Sequence, residues 1–215
     1  MTRYQRNHWF LAVALAGLAG FVDAIGFLYT GGFFTAFMTG NSTRMAVGLF
    51  TDATIAAIAG SMIATFVLGV ILGNLIGHAC PPRARLPLTI LGVVLLLAGA
   101  AALAMVGLGT AAVGCTLLAM GMENTVFQRE GEVSIGLTYM TGTLVKLGQA
   151  LSRIHRPGQS WAWVPHLLLW AGLVSGAGLG VLAYLDWGLG ALWMAVGIGL
   201  ALTLIASLPR FALHE

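Results

Sequence analysis

Polar residues in this chain are confined to short stretches. Between them run apolar blocks of about 18 to 25 residues, the length a helix needs to cross about 30 Å of hydrocarbon at 1.5 Å per residue. Eight spans are read: 9–28, 33–50, 54–78, 87–107, 110–127, 134–152, 163–185 and 188–208. Tyr29-Thr-Gly-Gly32 and Gly107-Leu-Gly109 read as tight turns, and Pro81-Pro82 and Pro157-Gly158 as polar linkers at which helices stop. Span 33–50 is the least regular, because Thr39, Asn41 and Arg44 interrupt it.

Composition agrees with this pattern. Of 215 residues 59% are hydrophobic and 8% charged, and mean hydropathy is +0.93, whereas soluble domains carry about 25% charged residues. The expected fold is all-α: a single polytopic transmembrane helix bundle over residues 1–215. Residues 1–20 resemble a secretory signal, with Arg3 and Arg6 ahead of an apolar run, but the run continues to Leu28 without an A-x-A-like site and is read as a retained span. Cys80 and Cys115 have neither metal-type spacing nor the numbers for a disulfide framework. The net charge of +3 comes from flanking arginines, with no basic run of the kind that binds nucleic acid.

Orientation follows the Lys and Arg residues beside short loops. With eight crossings and the N-terminus inside, Arg3, Arg6, Arg44, Arg153, Arg156 and Arg210 fall on the cytoplasmic side, and Arg83, Arg85 and Arg129 outside. Were 33–50 re-entrant, each half would cross an odd number of times, the halves would be inverted, and Arg83 and Arg85 would lie inside. The sequence leaves both arrangements open.

The chain resembles itself. Met38-Thr-Gly-Asn-Ser-Thr-Arg44 matches Met140-Thr-Gly-Thr-Leu-Val-Lys146, each preceded by an aromatic residue, Phe37 and Tyr139. Upstream, Gly20-Phe-Val-Asp23 lies against Gly121-Met-Glu-Asn124, the acid shifted by one place. Downstream, Gly69 and Gly73 match Gly176 and Gly180 at small-xxx-small spacing. Two pseudo-symmetric repeats are read, approximately 1–107 and 108–215. The Gly-xxx-Gly surfaces suit helix packing within one subunit, with a homodimer contact as their second use.

Acids inside apolar spans mark functional sites by default, because a charge near the bilayer centre costs about 2.5–3.5 kcal/mol. Asp23 and Glu123 are the acids well inside spans. Each precedes a turn by about two helical turns, with Thr39 and Asn41, or Thr141 and Thr143, about as far beyond it. Asp23, Thr39, Gly40, Asn41, Glu123, Asn124, Thr141, Gly142 and Thr143 are therefore the candidate substrate or ion site, expected to converge at one depth. Such carboxyls suit proton exchange, or a cation held by hard oxygen ligands. Their simpler use is structural, pairing with Arg44 and Lys146 or capping helix breaks.

Arg44 and Lys146 lie where long side chains snorkel to an interface, and a gate salt bridge is their alternative use. Asn74 and Ser175 are read as helix–helix hydrogen bonders, and Trp161, Trp163, Trp187 and Trp193 as interfacial anchors. His8, His78, His155, His166 and His214 show no metal-ligand pairing, and no metal or cofactor is expected. No nucleophile–base pair lies inside the spans, so no enzymatic activity is expected.

Taken together, Gly20-Phe-Val-Asp-Ala-Ile-Gly-Phe27, Phe37-Met-Thr-Gly-Asn41, Gly121-Met-Glu-Asn124 and Tyr139-Met-Thr-Gly-Thr-Leu144 resemble the YoaK-type bacterial membrane proteins, grouped as a domain of unknown function. The resemblance implies a bacterial inner-membrane protein with a permease-like role. It supplies no substrate and no site residue. The leading functional expectation is a small transporter or channel for a small solute or ion; a non-catalytic scaffold or assembly protein in the bilayer is the alternative.

Overall fold

The computed structural model describes residues 6–129, 132–133, 135–155 and 160–208. The Pro157-Gly158 linker and the middle of the Arg129–Glu132 turn lie outside the described residues, as do Arg3, Arg156, Arg210 and His214. The helices are α1 (Arg6–Tyr29), α2 (Met38–Thr51), α3 (Ala53–Ala79), α4 (Pro82–Met105), α5 (Gly109–Glu123), α6 (Met140–Leu151), α7 (Val164–Trp187) and α8 (Leu192–Ala206). Two residue pairs, Gln128↔Val133 and Arg129↔Glu132, form a minimal antiparallel hairpin. Among the described residues four helical stretches are long and apolar enough to cross a bilayer: His8–Tyr29, Ala53–Ala79, Pro82–Met105 and Val164–Ala206. The last is α7 and α8 joined by a 3-10 turn at Gly188–Ala191. The described chain therefore has seven uninterrupted helical runs. Gly188, at φ 54°, lets the chain reverse there.

Helix directions follow from which residues meet. Along α1 and α7, Trp9 meets the His166 ring edge-on at 6.5 Å, Gly172 lies against Val13, Gly176 against Gly17 and Gly180 against Phe21. Both numbers rise together, so α1 and α7 are parallel. Along α3 and α5, Gly69 lies against Leu118, Gly121 against Phe66 and Val70, and Gly73 against Met122 and Thr125, again in parallel. Tyr29, ending α1, meets Gly109, starting α5, so these two helices are antiparallel. Arg85 bonds Gln128 and Gly92 meets Met122, which sets α4 against α5. Trp193 bonds Met105 and Gly199 meets Val94, which sets α8 against α4. Hence α1, α4 and α7 run from a first face to a second, and α3, α5 and α8 run back.

Segment 33–50 does not cross. After Tyr29 the chain turns through Gly31 and Gly32, at φ 69° and 113°, conformations that glycine adopts without steric cost. Residues 33–37 then descend without helical structure. The Phe34 ring packs at a tilt against Phe27, centroids 4.8 Å apart, and Thr35 lies against Gly26. α2 climbs back to the second face, packing antiparallel on α3 with Gly48 against Ala56 and Met45 against Gly60. Asp52 ends α2 and caps α3, accepting from the Thr54 amide at 2.8 Å. The second segment behaves alike: α5 ends and α7 begins at the first face, with the 12-residue α6 between them. Among the described residues the eight apolar blocks thus form six helices that run from one face to the other and two half-helices that do not. Length and hydropathy alone could not separate these, since an 18-residue block is long enough to cross if fully helical.

The parallel seams hold the molecule together. Lipid is as apolar as leucine, so packing rather than water exclusion drives helix association, and small residues permit it. Gly69, Gly73, Gly176 and Gly180 are all buried in these seams, within one subunit. Around them lies a core that includes Leu11, Leu15, Val22, Ile90, Leu97 and Ala195. The outer face of α3, including Val67, Leu68, Ile71, Leu72 and Leu75, is exposed.

Candidate functional site

Unwound backbone inside a membrane needs hydrogen-bond partners that a helix would have supplied internally. In the first hairpin polar side chains provide them. Asp23 Oδ1 accepts from the backbone amides of Thr35 at 2.6 Å and Ala36 at 2.7 Å, and from the Thr35 hydroxyl at 3.3 Å. Asn41 clasps Phe34 on both sides, its Oδ1 accepting from the Phe34 amide at 3.0 Å and its Nδ2 donating to the Phe34 carbonyl at 2.7 Å. Thr30 Oγ1 donates to the Gly26 carbonyl and accepts from the Phe33 amide. Arg44 donates to the Gly32 carbonyl and covers the Phe33 ring at 4.3 Å. Gly40 leaves room for the Phe34 and Phe37 rings.

The second hairpin uses a different residue for the same task. Asn124 Oδ1 accepts from the Thr138 hydroxyl at 2.9 Å, and its Nδ2 donates to the Met120 carbonyl at 2.9 Å. Gly20 lies against Leu173 and Ala177 just as Gly121 lies against Phe66 and Val70. In the register these glycines set, Asn124 falls on Asp23 and Glu123 falls on Val22. The acid is therefore displaced onto another face of the helix. Glu123 has no exposed surface, and neither of its oxygens has a hydrogen-bond partner.

The expected convergence at one depth does not occur. At 1.5 Å per residue Asp23 lies about 9 Å from the Tyr29 end of α1, while Glu123 lies about 21 Å from the Gly109 end of α5. Those ends meet, so the acids differ in depth by about 12 Å. The cause is the inversion: one hairpin enters from each face. Thr39 and Thr141 stand on exposed faces of α2 and α6, away from both acids. Thr143 is buried and donates to the Tyr139 carbonyl at 3.2 Å, while Gly142 faces open space. Asp23 does not pair with Arg44, and Lys146 is exposed. Asn74 and Ser175 bond carbonyls of their own helices, Val70 and Gly172, rather than neighbouring helices.

Sequence reading missed an open cleft of about 420 Å³ at the second face, between the end of α1, the first half of α3 and the start of α5. Tyr29, Thr30, Phe33, Ser61, Met62 and Thr65 are among its lining residues. Ser61 and Thr65 donate to the Ile58 and Ser61 carbonyls. Hydroxyls that bond within their own helix leave no trace in a hydropathy pattern, so only the assembled helices reveal them.

Comparison with known proteins agrees with a membrane fold. The UPF0700 transmembrane protein RA0705 of Rhizobium meliloti (strain 1021) is 32% identical over 204 residues, which cover 93% of this chain and 87% of that protein. No solved structure matches. A family of proteins of unknown function, DUF1275, matches residues 11–205 and includes the YoaK-type proteins that the Met-Thr-Gly blocks resemble. This chain is a transmembrane helix-bundle protein of the DUF1275 family.

Proposed function

We propose that the protein is a small transporter or channel for a small solute or ion, built as an inverted repeat in a bacterial inner membrane. The observation that carries this reading is the pair of re-entrant hairpins, one from each face, each tied by an intramembrane polar residue, Asp23 or Asn124. Non-helical backbone at membrane depth is tolerated where it is buried in protein or lines a water-filled cavity. In transporters built from inverted repeats, such broken helices form the substrate site. The cleft beside Thr30 and Phe33 supplies an approach from the second face.

Orientation is part of the proposal. Arg83, Arg85, Arg129 and Arg153 all lie on the face where α1 begins, and Arg3, Arg6, Arg156 and Arg210 flank that face in sequence. Arg44 reaches toward the other. By the positive-inside rule the first face is cytoplasmic.

Purified protein in liposomes tests this with a panel of protons, monovalent ions and small neutral solutes. Flux for at least one, lost in Gly114→Leu, which fills the cleft, without loss of fold, is expected; no flux for any member overturns the reading. The scaffold alternative draws support from the outer faces of α2 and α6, where Thr39, Ser42, Thr43, Thr141 and Lys146 are exposed. A partner that co-purifies in fixed ratio, together with absent flux, would establish it.

A further inference from the structure

The displaced acid of the second hairpin has a use of its own. Glu123 sits at the end of α5 with no exposed surface, and Met120, Met122, Val126, Phe127, Ile135 and Leu137 around it in the chain are each at most 3% exposed. An ionised carboxylate in such a place, with neither oxygen hydrogen-bonded, carries a large desolvation cost. Of the charged and titratable groups on the helices packed against α5, Tyr29 and Arg83 are exposed, His8 is buried near the start of α1, and three others have bonds elsewhere. Asp23 of α1 holds Thr35 and Ala36, Arg85 of α4 holds Gln128, and His78 of α3 meets the Asn74 carbonyl at 2.7 Å.

The surroundings of Glu123 select its ligand. A metal ion needs several ligands converging on it, and among the described residues no group of three or more His, Cys, Asp or Glu gathers. The Asn124 oxygen receives the Thr138 hydroxyl, and the Thr125 hydroxyl donates to the Met122 carbonyl. A proton needs only the carboxyl group. Asp23 is already given to a structural task, because its Oδ1 takes the Thr35 and Ala36 amides and the Thr35 hydroxyl and so holds the first hairpin in place.

Resting on the transport reading, we propose that Glu123 is the proton-exchanging residue of the protein, and that water reaches it when the leg 135–139 moves off Asn124. In the exchange the Glu123 O–H bond breaks, the proton passes to that water, and both electrons of the bond stay on the carboxylate. The Thr138–Asn124 bond is the latch that keeps the leg closed.

Dicyclohexylcarbodiimide, which attacks protonated carboxyls in apolar surroundings, tests this on the full chain without knowledge of the solute. Mass spectrometry of the reconstituted protein is expected to find the adduct on Glu123 and not on Asp23, with yield falling as pH rises from about 5 to about 9. An unlabelled Glu123, or labelling indifferent to pH as for a sealed neutral carboxyl, overturns the assignment. Thr138→Val is expected to accelerate labelling several-fold, and an unchanged rate overturns the route. Glu123→Gln is expected to fold and to remove the pH dependence of flux; flux with unchanged pH dependence overturns the coupling role. Should the unmodified protein pass no solute, the transport reading fails while the labelling still decides proton exchange.

Discussion

The Asp23 carboxylate and the Thr35 backbone amide are joined by a 2.6 Å hydrogen bond that spans from a crossing helix to an unwound leg. The same oxygen takes the Ala36 amide, so one side chain replaces two bonds that a helix would have made. Asp23→Asn keeps an oxygen acceptor, as Asn124 does in the second half, and is expected to retain the hairpin with a modest loss of stability. Asp23→Leu strands both amides, at about 1–3 kcal/mol each. Melting in detergent and protease cleavage within residues 30–37 measure the difference; a leucine variant as stable as the parent would remove Asp23 from this role.

The re-entrant path reverses the side on which the next two turns emerge. With the N-terminus inside, eight crossings would put Asp52 in the cytoplasm and Cys80 outside; six crossings put exposed Asp52 outside and Cys80 inside. A membrane-impermeant maleimide applied to intact cells is therefore expected to label Asp52→Cys and to spare the native Cys80. The opposite labelling would restore the eight-crossing arrangement.

Much of this architecture is legible in the sequence, and the parts that are not have physical causes. The apolar blocks located every helix, because periodic burial is written in local composition, but 134–152 reads as a crossing span and 33–50 as re-entrant only in the alternative arrangement. Whether 33–50 crosses depends on where Asn41 and Arg44 bond. Asn41 clasps Phe34, seven residues away, and Arg44 reaches Gly32, twelve residues away, and no hydropathy window registers such pairings. The roles of the two acids were hidden for a related reason. Asp23 and Glu123 share a residue class and nearly a position, but one place along a helix turns a side chain by about 100°, enough to turn a backbone clasp into an isolated buried carboxyl.

Arg44 ties α2 to the turn through a bond to the Gly32 carbonyl and a face-on contact with Phe33 at 4.3 Å. Lysine keeps the charge but not the planar fork that stacks and donates at once. Arg44→Lys is expected to cost about 1 kcal/mol, the scale of a partly exposed cation–π contact, and Arg44→Ala more. Melting of the two variants should rank them in that order; equal stability of all three proteins would mean that the clasp contributes nothing.

The two parallel seams make the most demanding prediction, because the inverted arrangement requires them to respond alike. A Cβ at Gly20 would meet the Leu173 carbonyl, and one at Gly121 the Phe66 carbonyl; Gly176 and Gly69 face the carbonyls of Gly17 and Leu118. Backbone cannot rotate aside as a side chain can, so each helix pair must separate. Gly20→Ala and Gly121→Ala are each expected to lose about 1–3 kcal/mol, the usual cost of overpacking. Gly99 and Gly197 face open space, and alanine there should be neutral or stabilise by about 0.5–1 kcal/mol by relieving a helix of glycine's backbone entropy. Thermal melts of the four variants decide the matter. If Gly20→Ala is harmful while Gly121→Ala is harmless, the seams are not equivalent and the inverted repeat loses its packing basis.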